Sequence, residues 1–180
     1  MLWLFVTYYS ETDVVTSLKR LNLKKGDVVY VSGNLSNLGL IKSTNYKNIP
    51  KVFYQSLTKI IGKNGTIIVP TFTFYLVNSN KIFTKKTFSD SGAFSNFILK
   101  KKYCIRSTHP YSSFAAIGKF ARFICNNKTK SVYGKGSPME KIIKLDAKFI
   151  SIGKSINLTC AQVHHAEKIK NVPYRYDKKF

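Results

Sequence analysis

His164 and Glu167, near the C-terminal end of the chain, have the types and spacing of a general base and the carboxylate that orients it. Residues at positions i and i+3 lie on one face of a helix, so the two side chains would meet. A carboxylate beside an imidazole stabilises the imidazolium that forms when the ring takes a proton. The same spacing is typical of an ion pair on a helix surface with no chemical role, and the pair alone does not decide between the two.

Cys160 precedes His164 by four residues, which permits a metal site completed by Glu167 or His109. Zinc sites draw their ligands from two clusters at short spacings, and this chain has no second cluster. A nucleophilic cysteine needs a positioned general base, and the sequence shows no evident one for Cys160. We therefore expect no metal ion, and we expect Cys160 to be a small buried side chain.

Two loops contain further polar residues. His109 lies in RSTHPYSS at residues 106–113, where Pro110 favours an extended backbone before it. The second loop, GKGSP at residues 134–138, leads into a predicted helix, and its amides could hold a phosphate or a carbonyl oxygen. A tight turn with Ser137 as the helix N-cap is the simpler interpretation of that loop.

Alternating patterns of helix and strand must position these residues. Buried strands are predicted at residues 28–31, 66–69 (ended by Pro70), 114–117 and 149–152. Helices are predicted at residues 12–21, 49–61, 91–102, 120–125, 138–145 and 159–170, the first capped by Ser10 or Thr12. This order indicates an α/β fold with a central, mainly parallel or mixed sheet flanked by helices. Ligands of such sheets gather beyond the carboxyl ends of the strands, here after Val31, Val69 and Ile152.

Length and composition restrict the class of protein. A chain of 180 residues with 44% hydrophobic side chains supports one domain with a core and excludes intrinsic disorder. The longest nearly apolar stretch, residues 67–77, is interrupted by Pro70 and two threonines, which excludes a spanning helix. The apolar start lacks a basic segment and a cleavage site, so we predict no signal peptide. We expect a cytoplasmic protein whose three cysteines, Cys104, Cys125 and Cys160, are reduced.

The net charge is strongly positive. Thirty Lys and Arg residues against eight Asp and Glu give +22, which favours anionic partners. Recognition of nucleic acids relies on arginine, and only four of the thirty basic residues are arginines. The lysines are scattered in pairs and triples along the chain. We therefore favour compositional drift over a nucleic-acid-binding module, and expect a field that attracts anionic ligands.

Several motifs stand in one collinear order. They are GDVVYVSGNLSNLG (26–39), GTIIVPTFTF (65–74), SDSGAF (89–94), RSTHPYSSFAAIG (106–118), YGKGSPMEKI (133–142) and HHAEKIKNVPYRY (164–176). Together they resemble the aminoglycoside 3-N-acetyltransferase family, and the resemblance runs from about Leu18 to the C-terminus. The elements around His109 and Ser137 are the most specific.

The resemblance implies transfer of an acetyl group from acetyl-coenzyme A directly to an amine, usually of an aminoglycoside, in a ternary complex. His164 would be the general base, and Glu167 would orient it or hold the amine. His109 would organise its loop or act as a second catalytic residue. The residues implied in cofactor binding are Ser32, Asn34 and Leu35 after the first predicted strand, Thr71 and Thr73 at the thioester end, and Ser113 beside the His109 loop.

The chain departs from the family pattern in two ways. The family commonly has HSSL where this chain has SGNL at residues 32–35, so a histidine and a serine that contact the pantetheine arm are missing. Family members also continue past the position of Phe180 for roughly a third of their length. The chain would then be a single domain, residues 1–180, without the family's C-terminal part. It would be a fragment, a shortened relative that covers its edge by forming a homodimer, or a degenerate, non-catalytic homologue.

The charge also bears on the acceptor. Aminoglycosides are polycations that call for an acidic groove, and this chain has eight acidic residues in all. We therefore hypothesise that the acceptor is an anionic amine, such as a nucleotide-linked amino sugar.

Overall fold

In the computed structural model, which describes residues 8–42, 45–126 and 129–176, helices and strands alternate along the chain. The strands are β1 (Tyr8–Tyr9), β2 (Val28–Gly33), β3 (Leu40–Ile41), β4 (Thr66–Phe72), β5 (Ile105–Arg106), β6 (Ser112–Gly118) and β7 (Lys148–Ile152). The α-helices are α1 (Glu11–Arg20), α2 (Ile49–Ile61), α3 (Ala93–Leu99), α4 (Ala121–Cys125), α5 (Pro138–Lys144) and α6 (Gln162–Ile169). The apolar start of the chain, residues 1–7, lies outside the described residues.

Five strands form a mixed sheet in the order β5-β6-β4-β2-β7. Strand β2 pairs in parallel with β4 and β7, whereas β6 pairs antiparallel with β4 and β5. Strands β1 and β3 form a separate parallel pair. The predicted α/β fold with a mixed central sheet is therefore confirmed.

Side chains of successive sheet residues point to opposite faces, and each face is covered by helices. Val29 and Val31 of β2 join the core cluster that contains Leu57 of α2. Val28 and Tyr30 join the cluster on the other face, together with side chains of α4 and α5. The near-continuous apolar run of β2 follows from this burial on both faces.

Most predicted boundaries are confirmed within a few residues. Ser10 caps α1: its Oγ accepts a hydrogen bond from the Asp13 amide at 3.1 Å, and the Asp13 carboxylate accepts one from the Ser10 amide at 2.8 Å. Ser137 caps α5 as predicted, since its Oγ accepts from the Glu140 amide at 3.2 Å. Helix α2 occupies the predicted residues and ends before Gly62, which adopts a positive φ of 68°.

Three predicted elements have wrong boundaries. Strand β4 does not end at Pro70 but continues to Phe72, because β4 pairs with β2 only as far as Ile68 and a strand with one neighbour tolerates proline. Helix α3 is shorter than predicted at both ends. Helix α6 begins at Gln162 because Ile156–Leu158 forms a separate 3₁₀ turn before it.

Within the described ranges, none of the helices is both long enough and apolar enough to cross a lipid bilayer.

Candidate active site

A cavity of about 610 Å³, named here the strand-end cavity, opens where β2, β4 and β7 end. Its wall includes Ser32 near the end of β2, Asn34 after β2, Phe72 at the end of β4, and Lys154 after β7. This is the edge of the sheet at which the strand order predicted a ligand site.

A second cavity of about 390 Å³, named here the helix-face cavity, lies beside α6. It is lined by His109, Lys130, Ser131, Val132, Tyr133, His164, Glu167, Lys168, Asn171, Val172, Arg175 and Tyr176. Tyr133 and His164 also line the strand-end cavity, so these two side chains lie between the two spaces.

Helix α6 brings His164 and Glu167 together as their spacing predicted. Nδ1 of His164 lies 3.1 Å from Oε2 of Glu167. The imidazole is 42% exposed and the carboxylate is 16% exposed, so the ring faces the cavities while the carboxylate is more enclosed. The hydrogen bond with His164 lowers the pKa of Glu167, and the charge and hydrogen bond of Arg175 lower it further. Glu167 is therefore ionised at neutral pH.

Arg175 completes this cluster, and the sequence analysis did not identify it. Nη2 of Arg175 lies 2.6 Å from Nδ1 of His164, and its Nε contacts Oε2 of Glu167. After α6 the chain reverses at Asn171, whose φ is +48°, and this turn brings Arg175 back over the helix. The sequence feature that could have indicated Arg175 is that it is one of few arginines in a lysine-rich chain and lies shortly after the end of a predicted helix.

Tyr133 is a second residue that the sequence analysis missed. Its ring packs edge-on against the His164 ring, with centroids 5.5 Å apart. Burial raises the pKa of its hydroxyl to about 12, so the phenol is neutral. The ring of Tyr133 restricts the orientation of the imidazole that separates the cavities.

His109 faces the helix-face cavity, and its Nδ1 is used by its own loop. That nitrogen accepts hydrogen bonds from the amides of Tyr111 at 3.2 Å and Ser112 at 3.1 Å. Burial lowers the pKa of His109, so the ring is neutral and carries its proton on Nε2. These contacts give His109 an organising role in the loop.

His165 has a comparable arrangement with the GKGSP loop. Its buried Nδ1 accepts a hydrogen bond from the Gly134 amide at 3.1 Å, and burial lowers its pKa. The Gly136 amide donates to the Glu140 carboxylate at 2.7 Å. The loop is thus a tight turn with an N-cap, which confirms the simpler interpretation.

The segment SGNL reaches the strand-end cavity through Ser32 and Asn34, while Leu35 is buried in the core. The Asn34 amide is engaged by its own turn, since Oδ1 accepts from Ser36 and Nδ2 donates to Asn37 at 3.1 Å. A Cβ atom at Gly33 would lie 2.0 Å from the carbonyl oxygen of Ile152, at a φ of +123°. The close approach of β7 therefore requires glycine at this position.

Thr71, Thr73 and Ser113 are fully buried and line neither cavity. The hydroxyls of Thr71 and Ser113 are 3.0 Å apart, and Arg106 donates from Nε to Ser113 Oγ at 2.9 Å and from Nη2 to the Thr71 carbonyl at 2.6 Å. Thr73 donates to the carbonyl of Pro110. The structure therefore does not bring these three predicted cofactor contacts to the surface of either cavity: Thr71 and Ser113 are bound to each other and to Arg106, and Thr73 is bound to the Pro110 loop.

The cysteines contribute little to the site geometry. Cys160 and His164 both line the strand-end cavity, and in the described part of the chain no group of three or more His, Cys, Asp or Glu side chains could hold a metal ion. All three cysteines are free thiols, and the prediction that Cys160 is buried is wrong, because it is partly exposed at the cavity wall. Burial raises the pKa of Cys104 to about 11 and that of Cys125 to about 12, so both remain protonated.

Known proteins share this sequence pattern. Residues 31–180 match the profile of the family described as aminoglycoside 3-N-acetyltransferase. Two relatives named aminoglycoside N(3)-acetyltransferase III, from Acinetobacter baumannii and Salmonella sp, are 30% and 21% identical over 186 and 184 residues. Each alignment covers 92% of this chain and 62% of the relative. The chain therefore spans less than two thirds of the length of these relatives.

Solved structures share the fold. They include the aminoglycoside acetyltransferase AAC(3)-IVa apoenzyme, with a TM-score of 0.79 and 21% identity over 94% of this chain and 64% of that one. The structure of AAC-IIIb in a binary complex with CoASH has a TM-score of 0.77 and 21% identity, and the match covers 93% of this chain and 67% of that one. The YokD protein from Bacillus subtilis has a TM-score of 0.77 and 22% identity, and the match covers 92% of this chain and 72% of that one. Because the family profile matches well over half of the residues, in the motif order described above, the chain belongs to the aminoglycoside 3-N-acetyltransferase family.

Proposed function

We propose that this chain transfers the acetyl group of acetyl-coenzyme A to a primary amine, with His164 as the general base. The observation that carries the proposal is the position of the His164 ring between the two cavities, with the Glu167 carboxylate 3.1 Å from Nδ1. A base at such a boundary can reach an acyl donor on one side and an amine on the other. Membership of the family supports the type of reaction.

The strand-end cavity is the proposed site of the acyl donor. Its location at the carboxyl ends of the strands, its polar wall at Ser32 and Asn34, and the charge of Lys154 suit a ligand with an amide-rich arm and phosphates. The CoASH complex of the structurally similar AAC-IIIb supports the choice of ligand. Because Leu35, Thr71, Thr73 and Ser113 are buried, we propose that they hold the wall in shape from beneath.

The proposed reaction needs a specific form of His164. The amine nitrogen attacks the thioester carbonyl carbon, a C–N bond forms, and the amine proton passes to Nε2 of His164. The C–S bond of the tetrahedral intermediate then breaks, and the departing thiolate takes the proton from the imidazolium. For Nε2 to accept a proton, Nδ1 must carry the other hydrogen and donate it to Glu167.

A non-catalytic homologue is the second candidate. The observation that favours it is the Asn34 amide, which is engaged within its own turn. We propose that residues 1–180 form one acetyltransferase-like domain that acts in the cytoplasm, where acetyl-coenzyme A is available. We propose that a homodimer forms at β7, which is an outer strand of the sheet among the residues that the structure describes, and covers its edge.

Calorimetric titration of the chain with acetyl-coenzyme A, followed by transfer assays with amino sugars, tests the proposal. We expect micromolar binding, about −8 kcal/mol. His164→Gln should retain this binding and lose transfer by about 10²–10⁴-fold, whereas Lys51→Ala, on the exposed side of α2, should change neither. A folded chain that binds no acetyl-coenzyme A would establish the second candidate instead.

A further inference from the structure

Tyr30 of β2 is a deeply buried tyrosine whose side chain also reaches the strand-end cavity. It is 1% exposed and joins the core cluster on the side of the sheet that carries α4 and α5. Its ring packs against the rings of Phe149 and Phe114, with centroids 4.9 and 6.0 Å apart. These contacts from β7 and β6 hold the phenol in one orientation.

The hydroxyl of Tyr30 makes no hydrogen bond within the described part of the chain. It is also not one of the polar atoms there that are both unpartnered and sealed from solvent, which are Oη of Tyr9 and Oε1 of Gln162. The hydroxyl is therefore accessible, and since Tyr30 lines the strand-end cavity, it opens onto that space. A buried hydroxyl without a partner costs free energy, and a ligand that accepts its hydrogen bond offsets that cost.

The Tyr30 hydroxyl keeps its hydrogen at neutral pH and is a donor. Burial raises the pKa of Tyr30 well above its usual value, and the charge of an ionised Tyr133 would raise it further. The two phenol groups thus lie within electrostatic reach of each other. Tyr133 in turn packs against the His164 ring, with centroids 5.5 Å apart. Tyr30, Tyr133 and His164 therefore line one region of the strand-end cavity.

We infer that Tyr30 is a further catalytic residue, whose hydroxyl donates a hydrogen bond to the thioester carbonyl oxygen of acetyl-coenzyme A. This inference rests on the proposed function and deepens it. Attack by the amine turns that oxygen into an oxyanion, and a donor that is already fixed in place stabilises the new charge without reorganisation. The proton stays on Tyr30 throughout, because His164 takes the amine proton and returns it to the departing thiolate.

The depth of Tyr30 in the cavity favours the thioester over the rest of the ligand. Tyr30 and Ser32 are two residues apart on β2, so their side chains point to the same face, about 7 Å apart along the strand. Ser32 is partly exposed, whereas Tyr30 is buried, so Tyr30 lies toward the inner end. A hydrogen bond to a developing charge is strongest where water is excluded. The thioester therefore belongs at Tyr30, with the amide-rich arm passing Ser32.

Tyr30→Phe tests the inference, because it removes the hydroxyl and keeps the ring that fills the core. We expect kcat to fall by about 10²–10³-fold, with no change in acetyl-coenzyme A affinity measured by calorimetry. The free energy of unfolding should stay the same or rise, since the hydroxyl satisfies no group of the fold. The matched control is Tyr9→Phe, which removes an unpartnered hydroxyl that is sealed from solvent and lies outside this cavity, and it should leave kcat unchanged.

Infrared spectroscopy gives a readout that does not depend on turnover. A carbonyl group that accepts a hydrogen bond absorbs at a lower frequency than one that does not. With acetyl-coenzyme A labelled with ¹³C at the acetyl carbonyl, we expect a lower frequency when it is bound to the native chain, Tyr9→Phe or His164→Gln than when it is bound to Tyr30→Phe. A purely structural role of Tyr30 would not produce this difference.

The inference and the proposed function fail in different ways. If Tyr30→Phe binds acetyl-coenzyme A with unchanged kcat and carbonyl frequency, or loses only affinity for it, the inference is overturned and the proposed function stands. A loss of kcat in Tyr9→Phe equal to that in Tyr30→Phe would also overturn it. If His164→Gln transfers acetyl at the native rate while Tyr30→Phe shows both effects, His164 is rejected as the base and Tyr30 keeps its role. A native chain that binds no acetyl-coenzyme A would reject both.

Discussion

Nη2 of Arg175 lies 2.6 Å from Nδ1 of His164, the same ring nitrogen that lies 3.1 Å from Oε2 of Glu167. A guanidinium only donates hydrogen bonds, and a carboxylate only accepts them. Nδ1 cannot satisfy both neighbours, because it holds either a lone pair or a hydrogen. The shorter contact, to Arg175, favours the tautomer that has the lone pair on Nδ1 and the hydrogen on Nε2.

Arg175→Ala should therefore change the tautomer of His164. Without the guanidinium, Nδ1 carries the hydrogen and donates it to Glu167, and Nε2 becomes the acceptor. The measurement is the ¹⁵N chemical shifts of the His164 ring by NMR, before and after the substitution. Arg122→Ala, an exposed arginine on α4, is the control. Unchanged ring shifts would contradict the assignment of Arg175 to this nitrogen.

Glu167→Gln should lower the rate of acetyl transfer without changing acetyl-coenzyme A affinity. The amide keeps the shape of the side chain but cannot stabilise an imidazolium, so we expect kcat to fall by about 10²-fold. Steady-state kinetics and calorimetry measure the two effects. Glu11→Gln, at an exposed position in the first turn of α1, should leave both unchanged. A change confined to the affinity for the amine would show instead that Glu167 holds the acceptor.

Gly33→Ser, which restores the serine that the resemblance implies, should destabilise the fold. The new Cβ would lie 2.0 Å from the Ile152 carbonyl oxygen at a φ of +123°, so β2 and β7 would have to separate. We expect the free energy of unfolding to fall by at least about 2 kcal/mol. Gly26→Ala is the control, because its φ of +91° is also positive but its Cβ would meet nothing within 4 Å. If urea denaturation gave the same loss of unfolding free energy for Gly33→Ser and Gly26→Ala, the positive φ rather than the close approach of β7 would be what requires glycine at position 33.

The stability of the fold should rise with pH up to about 6.5 through His109 and His165. Burial lowers both pKa values below 6.5, and both Nδ1 atoms accept amide hydrogen bonds that protonation would remove. The unfolded chain therefore binds more protons in this range, so their contribution is present above pH 6.5 and is lost as pH falls through the folded-state values.

The double variant His109→Asn/His165→Asn tests this dependence, since an Asn carbonyl can accept the same amide hydrogen bonds without titrating near neutral pH. Unfolding free energies from pH 4 to 8 should depend less on pH in the variant than in the native chain. Parallel curves would show that other groups are responsible.

The sequence by itself determined the elements and the pair at the centre of the site. Strand β2 is buried on both faces, so its sequence is an uninterrupted apolar run. The cap residues Ser10 and Ser137 bond within one helical turn. The local sequence pattern therefore suffices to predict the strand and both caps. His164 and Glu167 meet because the geometry of a helix fixes residues three apart.

Only the tertiary structure decided what surrounds that pair. Arg175 and Tyr133 reach His164 by a chain reversal and by packing between elements distant in sequence, which no local spacing encodes. Thr71 and Ser113 show the opposite case: the Ser113 hydroxyl and the Thr71 carbonyl accept hydrogen bonds from the buried Arg106, and the two hydroxyls bond to each other instead of facing a cavity. A buried guanidinium must be paired with acceptors wherever the fold brings them, and that requirement becomes visible only when β4 and β6 lie side by side.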